Sequence, residues 1–172
     1  KLVRDELSAA DPAHSAQYST NAEHYEELLD ALNADVTTTL DQIPQDRRNL
    51  VTTHDGYGYL ADAYGLNLAG YVTPNPSQEP SPRDIIALTR TLENLHVPAV
   101  FLEPAAEGAP SDLVQVAGRL GVKVCTIRGD SLDPPGGGQA HSYIDFMRAN
   151  AQSLSSCLGV PEVSGTPTPK TQ

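Results

Sequence analysis

His54, Glu103 and Asp130 are the side chains of this 172-residue chain whose types and surroundings could do chemistry. His54 ends the short run Leu50-Val51-Thr52-Thr53, Glu103 ends Ala99-Val100-Phe101-Leu102, and Asp130 stands just beyond Val122 to Ile127. An imidazole and two carboxylates are a donor set for a borderline divalent cation such as zinc or manganese. Each residue also has a plainer reading, since aspartates after strands cap helices and a Glu-Pro pair shapes a turn. What decides between them is whether the elements carrying these residues bring them together.

The three runs read as strands of an alternating pattern. Leu50 to Thr53 is the first strand, Gly56 to Tyr64 a short helix with Asp55 as its cap and Gly65 as its stop, and Leu68 to Thr73 the second strand. The loop Pro74 to Pro82 cannot join a ladder. A helix with Ile85, Leu88, Leu92 and Leu95 on one face then starts at Ser81, with Pro82 in its first turn and Asp84 three residues after the cap. Ala99 to Leu102 is the third strand, Ser111 to Leu120 a helix closed by Gly121, and Val122 to Ile127 the fourth strand. Arg128 to Gly138 reads as a flexible loop. The last helix carries Tyr143, Phe146, Met147, Asn150, Leu154, Cys157 and Leu158 as core positions. Four short apolar strands separated by helices specify an α/β fold: a four-stranded parallel sheet with helices on both faces, whose right-handed crossovers put every carboxyl end on one rim. A long helix precedes it, spanning residues 11–43. It opens at Asp11-Pro12, carries Tyr18, Tyr25, Leu29, Leu32, Val36 and Leu40 as one stripe, and ends at Pro44. Residues 1–10 read as a helix end, 44–160 as the α/β lobe, and 161–172, rich in Ser, Thr and Pro, as a flexible tail.

Composition narrows the partners. A formal charge of −11 without any Lys/Arg block disfavours nucleic acid and anionic membrane. No apolar run approaches the ~20 residues needed to span a bilayer. His14 and His24 lie on the long helix without a ligand spacing and read as surface residues. Cys125 and Cys157 have no metal-type spacing; they are either two small buried hydrophobes or one bridge, the latter requiring an oxidising compartment.

Thr53-His54-Asp55-Gly56-Tyr57-Gly58-Tyr59-Leu60-Ala61-Asp62-Ala63-Tyr64-Gly65-Leu66 resembles the second-half motif of the zinc and manganese substrate-binding proteins of ABC importers, the cluster A-I solute-binding family. Glu79-Pro80-Ser81, Val100-Phe101-Leu102-Glu103-Pro104, Gly129-Asp130-Ser131-Leu132 and Ser142 to Asn150 agree in the same order. The resemblance implies a C-terminal lobe with its linking helix, residues 1–10 being the end of a helix from the missing N-terminal lobe of the same protein. It implies His54 and Asp130 as metal ligands, two of a set of four, with Glu103 behind them orienting His54. The family's other two ligands belong to the absent first lobe, and His14, His24, His96 and His141 match no ligand motif. Half a shell should hold zinc or manganese weakly or stand unoccupied in this fragment; histidine at 54 leans towards zinc. The resemblance also implies an ABC permease as partner, a Cys125–Cys157 disulfide, and an extracytoplasmic location, periplasmic or tethered at the cell surface. The function it implies is metal binding and delivery with no bond chemistry.

A rival reading starts from Gly129-Asp130-Ser131-Leu132, which spells the signature of the GDSL esterases. Ser131 would be the nucleophile, His141 the base and Asp145 its orienting acid. In that family, however, the motif resembles a start signal near the N-terminus, whereas here it follows the last strand and no Asp-x-x-His comes after it. A metal-free structural or interaction domain is the third reading. The Pro134-Pro135-Gly136-Gly137-Gly138 run lacks the Lys-Ser/Thr of a phosphate loop and reads as a mobile flap beside Asp130, one that would let Asp130 leave the metal on release.

Overall fold

Leu50, Val51 and Thr52 are consecutive and all fully buried, so the strand they form is shielded on both faces. Only a two-sided sheet offers that environment. The computed structural model describes residues 1–73, 81–103, 111–134, 137–138 and 140–159. In it, β1 (Asn49–His54), β2 (Asn67–Thr73), β3 (Ala99–Leu102) and β4 (Lys123–Thr126) form one sheet in the order β2-β1-β3-β4, every neighbouring pair parallel. The helices are α1 (Leu2–Ala10), α2 (Ser15–Leu40), α3 (Gly58–Tyr64), α4 (Pro82–Leu95), α5 (Ser111–Leu120) and α6 (Tyr143–Leu158).

The sheet separates two cores. Leu50, Ala99, Phe101 and Cys125 face Leu32, Val36 and Leu40 of α2, Ala61 of α3 and Leu154 of α6. Val51, Val100 and Leu102 face Leu88 and Leu92 of α4 and Ala117 of α5. Within β3 the residues therefore alternate between two apolar faces, which is why the sequence shows a continuous apolar run. β4 is an edge strand, as β2 is at the other side, and is shorter than its apolar run of 122–127: Lys123 and Val124 are exposed.

The strand order fixes where a ligand can sit. From β1 the chain crosses to β2 on one side through α3, then passes back over β1 to β3 through α4 on the opposite face. A right-handed crossover must change face when it changes direction, so β1 and β3 diverge at their carboxyl ends. That divergence is the topological switch point, where open α/β sheets bind ligands. His54 ends β1 and Glu103 follows β3.

Several local starts and stops follow their sequence signals. Ser81 and Asp84 form a capping box, with Pro82 in the first turn of α4. Gly65 and Gly121 close α3 and α5 with φ of 64° and 68°. Other expectations need correction. Asp55 does not cap α3: the Gly56 amide donates to the His54 carbonyl at 3.0 Å, and that tight turn delays the helix to Gly58, with Tyr57 at its cap. Asp11 does not open the long helix. Its carboxylate is taken by His14 Nδ1 at 2.7 Å and Tyr18 Oη at 3.0 Å, a 3-10 turn forms at Pro12–His14, and α2 starts at Ser15. The stripe on α2 is buried only at Leu32, Val36 and Leu40, whereas Tyr25 is exposed, because the upstream turns pack on α1 rather than on the lobe. Tyr143, placed in the core by its spacing, is half exposed and stacks on Phe146. The loop at 74–80 and the tail lie outside the described residues.

Two ties hold the layers in place. The buried Arg48 guanidinium donates to the carbonyls of Leu40 at the end of α2, Ile43, and Tyr64 at the end of α3, each at 3.1 Å. A cation at two helix carboxyl ends offsets both dipoles and locks α2 and α3 to the root of β1. Cys125 of β4 and Cys157 of α6 are joined in a disulfide, their Cα atoms 6.7 Å apart.

Candidate metal centre

His54 and Glu103 meet at the switch point. His54 Nδ1 lies 3.0 Å from Glu103 Oε1, and both side chains are largely shielded from solvent. Protonating Nδ1 towards the carboxylate leaves the Nε2 lone pair as the ring's donor, the arrangement by which an outer carboxylate sets the tautomer of a metal-binding histidine. Thr52 Oγ1 donates to the His54 carbonyl at 2.9 Å and fixes the strand end. A Cβ at position 56 would stand only 2.5 Å from Nε2, so glycine there leaves room for the imidazole.

Tyr57 completes this arrangement, and sequence reasoning passed it over. Its hydroxyl donates to the same Glu103 Oε1 at 2.5 Å, and its ring lies 5.6 Å from the His54 ring. Burial, then the hydrogen bond to the Glu103 carboxylate, push the phenol well above its ordinary value of 10.0. The only sequence signal was its place three residues after the histidine, which also fits a simple helix start.

Asp130 comes to the same rim from β4. It is exposed. The preceding Gly129 passes so close to Glu103 that a Cβ would collide with the carboxylate. Asp130 is near enough to Tyr57 for its charge to raise the phenol further. Glu103 is engaged by both His54 and Tyr57, whereas Asp130 is exposed on the same rim. Among the described residues no three His, Cys, Asp or Glu side chains form a metal-holding group.

The remaining candidates are placed elsewhere or otherwise employed. Asp145, the acid required by the esterase reading, accepts from Ser142 Oγ at 2.7 Å, while its own amide donates back to Ser142 at 3.2 Å; the pair caps α6. His14 pairs with Asp11 and His96 ends α4. The Gly-rich flap falls partly outside the described residues, which omit Pro135, Gly136 and Gln139.

The Tyr57 arrangement makes a direct prediction. Tyr57→Phe removes one hydrogen bond to a carboxylate and is expected to cost about 1 to 2 kcal/mol of stability in urea unfolding. A phenol whose folded pKa is raised contributes stability that is fully present below the unfolded value of 10.0 and is lost as pH rises towards the folded value. The gap between wild type and Tyr57→Phe should therefore be flat below pH 10 and narrow above it. A gap that widened above pH 10 would contradict this assignment.

Comparison with known proteins gives the family and the fold. Residues 1–157 match the family model described as zinc-uptake complex component A, periplasmic. The chain is 30% identical over 159 residues to the manganese-binding lipoprotein MntA of Halalkalibacterium halodurans, covering 92% of this chain and 52% of that relative. It is 33% identical over 155 residues to the high-affinity zinc uptake system protein ZnuA of Brucella abortus, covering 88% and 44%. The chain thus spans about half the length of the curated relatives it matches. The periplasmic zinc-binding protein TroA of Treponema pallidum superposes with a TM-score of 0.81 at 22% identity, over 92% of this chain and 58% of that one, and shares the fold.

Proposed function

The chain belongs to the zinc-uptake complex component A family, and on that footing we propose that it is the C-terminal half of an extracytoplasmic solute-binding protein that holds a divalent transition metal and hands it to an ABC permease. The work is coordination and handover; no bond is made or broken in the cargo. His54 Nε2 and the Asp130 carboxylate supply half of the shell, Glu103 orients His54, and the rim of the sheet docks on the permease. Half a shell fits the donor set of one imidazole and one carboxylate that this reading assigns to the rim. The other half would come from an N-terminal lobe. The exposed Tyr25 and Leu28 on α2 and Leu2 and Val3 on α1 are apolar surface that such a lobe would cover.

The metal is zinc on this reading. One relative is named for manganese and another for zinc; what favours zinc is the imidazole at position 54, since carboxylate-rich sites suit manganese. Metal chemistry requires ligands in the deprotonated state and an oriented imidazole, and the observation that carries the proposal is the His54 Nδ1 contact to Glu103 at the switch point.

Calorimetric titration of the 172-residue chain with zinc and with manganese tests this. Weak zinc binding is expected, and Asp130→Ala should weaken it by at least an order of magnitude, as loss of a ligand costs no less than loss of its outer partner. Ser131→Ala should leave it nearly intact. Zinc affinity unchanged by Asp130→Ala would overturn the ligand assignment, and hydrolysis of a model ester lost with Ser131→Ala would replace the reading with an enzyme.

A further inference from the structure

Asp130 sits on a stretch that is pinned at both of its ends, by residues that are not themselves part of the metal-site reading. Asn150, on α6, is almost fully buried and spends both faces of its amide on a single residue: Oδ1 accepts from the Arg128 amide at 2.8 Å and Nδ2 donates to the Arg128 carbonyl at 2.9 Å. That contact anchors the backbone two residues before Asp130. The Arg128 side chain then turns forward to meet Asp133 with two parallel bonds, Nε to Oδ1 and Nη2 to Oδ2, each at 3.1 Å. Paired bonds of this kind fix orientation as well as distance, and both side chains are mostly withdrawn from water.

Asp133 is fixed from the far side as well. Its backbone amide donates to the Ala140 carbonyl and its Oδ2 accepts from the Ala140 amide, both at 2.8 Å, and Ala140 is fully buried. Gly138 approaches Asp133 in the left-handed region at φ 68°, where a Cβ would run into the Asp133 side chain. Gly129, at the other end, lies against Glu103. The segment between Arg128 and Asp133 is therefore an arch clamped at each foot, with Asp130 at its top.

We propose that Asn150 and the Arg128–Asp133 pair are positioning residues: they form a clasp that holds the Asp130 carboxylate at the rim opposite His54 before any metal arrives. The inference rests on the metal-binding reading above and goes beyond it, because it assigns the affinity of the site in part to side chains that never touch the metal. A preset ligand loses less freedom on binding. It limits how far Asp130 could swing out on a mobile loop, since its neighbours Arg128 and Asp133 are held by hydrogen bonds.

The test uses the labelled 172-residue chain, with zinc affinity read from the His54 and Asp130 resonances and folding read from the melting temperature without metal. Asp133→Asn keeps an oxygen for the Ala140 amide but removes the charge, and Arg128→Gln removes the fork. Each should weaken zinc binding about tenfold, the scale of an outer-partner loss, and should speed hydrogen exchange at the Asp130 amide. The double variant should be no weaker than either single, because both cut one link. Arg128→Lys keeps the charge without the fork, folds most conservatively, and should fall between wild type and Arg128→Gln. A lowered melting temperature with unchanged zinc affinity in all of them, or fully additive losses in the double variant, would overturn the clasp. Asp130→Ala separates the two levels: if it weakens zinc binding and the clasp variants do not, only the clasp fails; if it does not, the ligand assignment fails and the clasp with it.

Discussion

Replacing His54 by alanine should reduce zinc binding by the chain at least ~100-fold, to the level of the acidic surface alone. The imidazole supplies the only nitrogen donor at the rim on the proposed reading, and borderline zinc discriminates strongly in favour of nitrogen over a lone surface carboxylate. Folding should survive. His54 contributes one contact to Glu103, and Tyr57 still donates to that carboxylate when the ring is gone. The expected stability cost is about 1 kcal/mol, small against the 5–15 kcal/mol of an ordinary domain. The measurement is paired: zinc titration by calorimetry, and urea unfolding of the same sample without metal. Loss of zinc binding in a protein that unfolds at nearly the same urea concentration identifies His54 as a ligand. Unchanged binding would remove His54 from the site and leave the family membership and fold standing. Alanine at His14, which is exposed and already paired with Asp11, is the matched control and should change nothing.

How far the sequence could be read depended on how far apart the contacting residues lie. Strands such as Leu50 to Thr53 and Ala99 to Leu102 were legible because burial on two faces leaves no polar position to blur the run. The shared rim of strand ends followed from the alternation of strands and helices, whereas the strand order, and with it the switch point, came from the structure. Glu103 beside His54 was expected only from the family resemblance. The misreadings were of another kind. Tyr57 reaches across 46 residues to Glu103, and Asn150 across 22 to Arg128; no periodicity within one element encodes such pairs. Asn150 at helical spacing among apolar residues looked like one more core position, and it is buried, but as a hydrogen-bonding group whose partner is a loop backbone. Arg48 drew no attention in the sequence, yet three helix-end and loop carbonyls converge on its guanidinium. Asp11 and Asp55 were assigned as caps from their residue type alone. Type says what a side chain can bond; for Asp11 a nearer histidine and tyrosine took the carboxylate, and for Asp55 a glycine turn moved the helix start away.

Reduction of the Cys125–Cys157 bond should lower stability by about 3 to 4 kcal/mol without changing the fold. The two cysteines are 32 residues apart, and closing a loop of that size in the unfolded chain removes chain entropy of this order. Both sulfurs are buried against the same core, so two accounts compete: the cysteines stabilise as bulk that fills space, or as a bond that limits the unfolded state. They separate experimentally. Reduced cysteines keep the bulk and lose only the bond, whereas Cys125→Ala with Cys157→Ala loses both and adds a cavity term. Urea unfolding of the oxidised, the reduced and the doubly substituted chain should therefore give three descending stabilities, with most of the drop in the first step. If reduction costs less than about 1 kcal/mol while the double alanine variant loses several, the cysteines act as core filling and the bond is incidental. The bond also encloses Arg128, Asp130 and Asp133 within its loop, yet the clasp around Asp130 is made of hydrogen bonds that reduction leaves in place. Zinc affinity of the reduced chain, measured where it is still folded, should thus stay within a few-fold of the oxidised one. A protein working outside the cytoplasm would then keep its stability from the bond and its ligand geometry from Asn150, Arg128 and Asp133, two devices that can be cut independently.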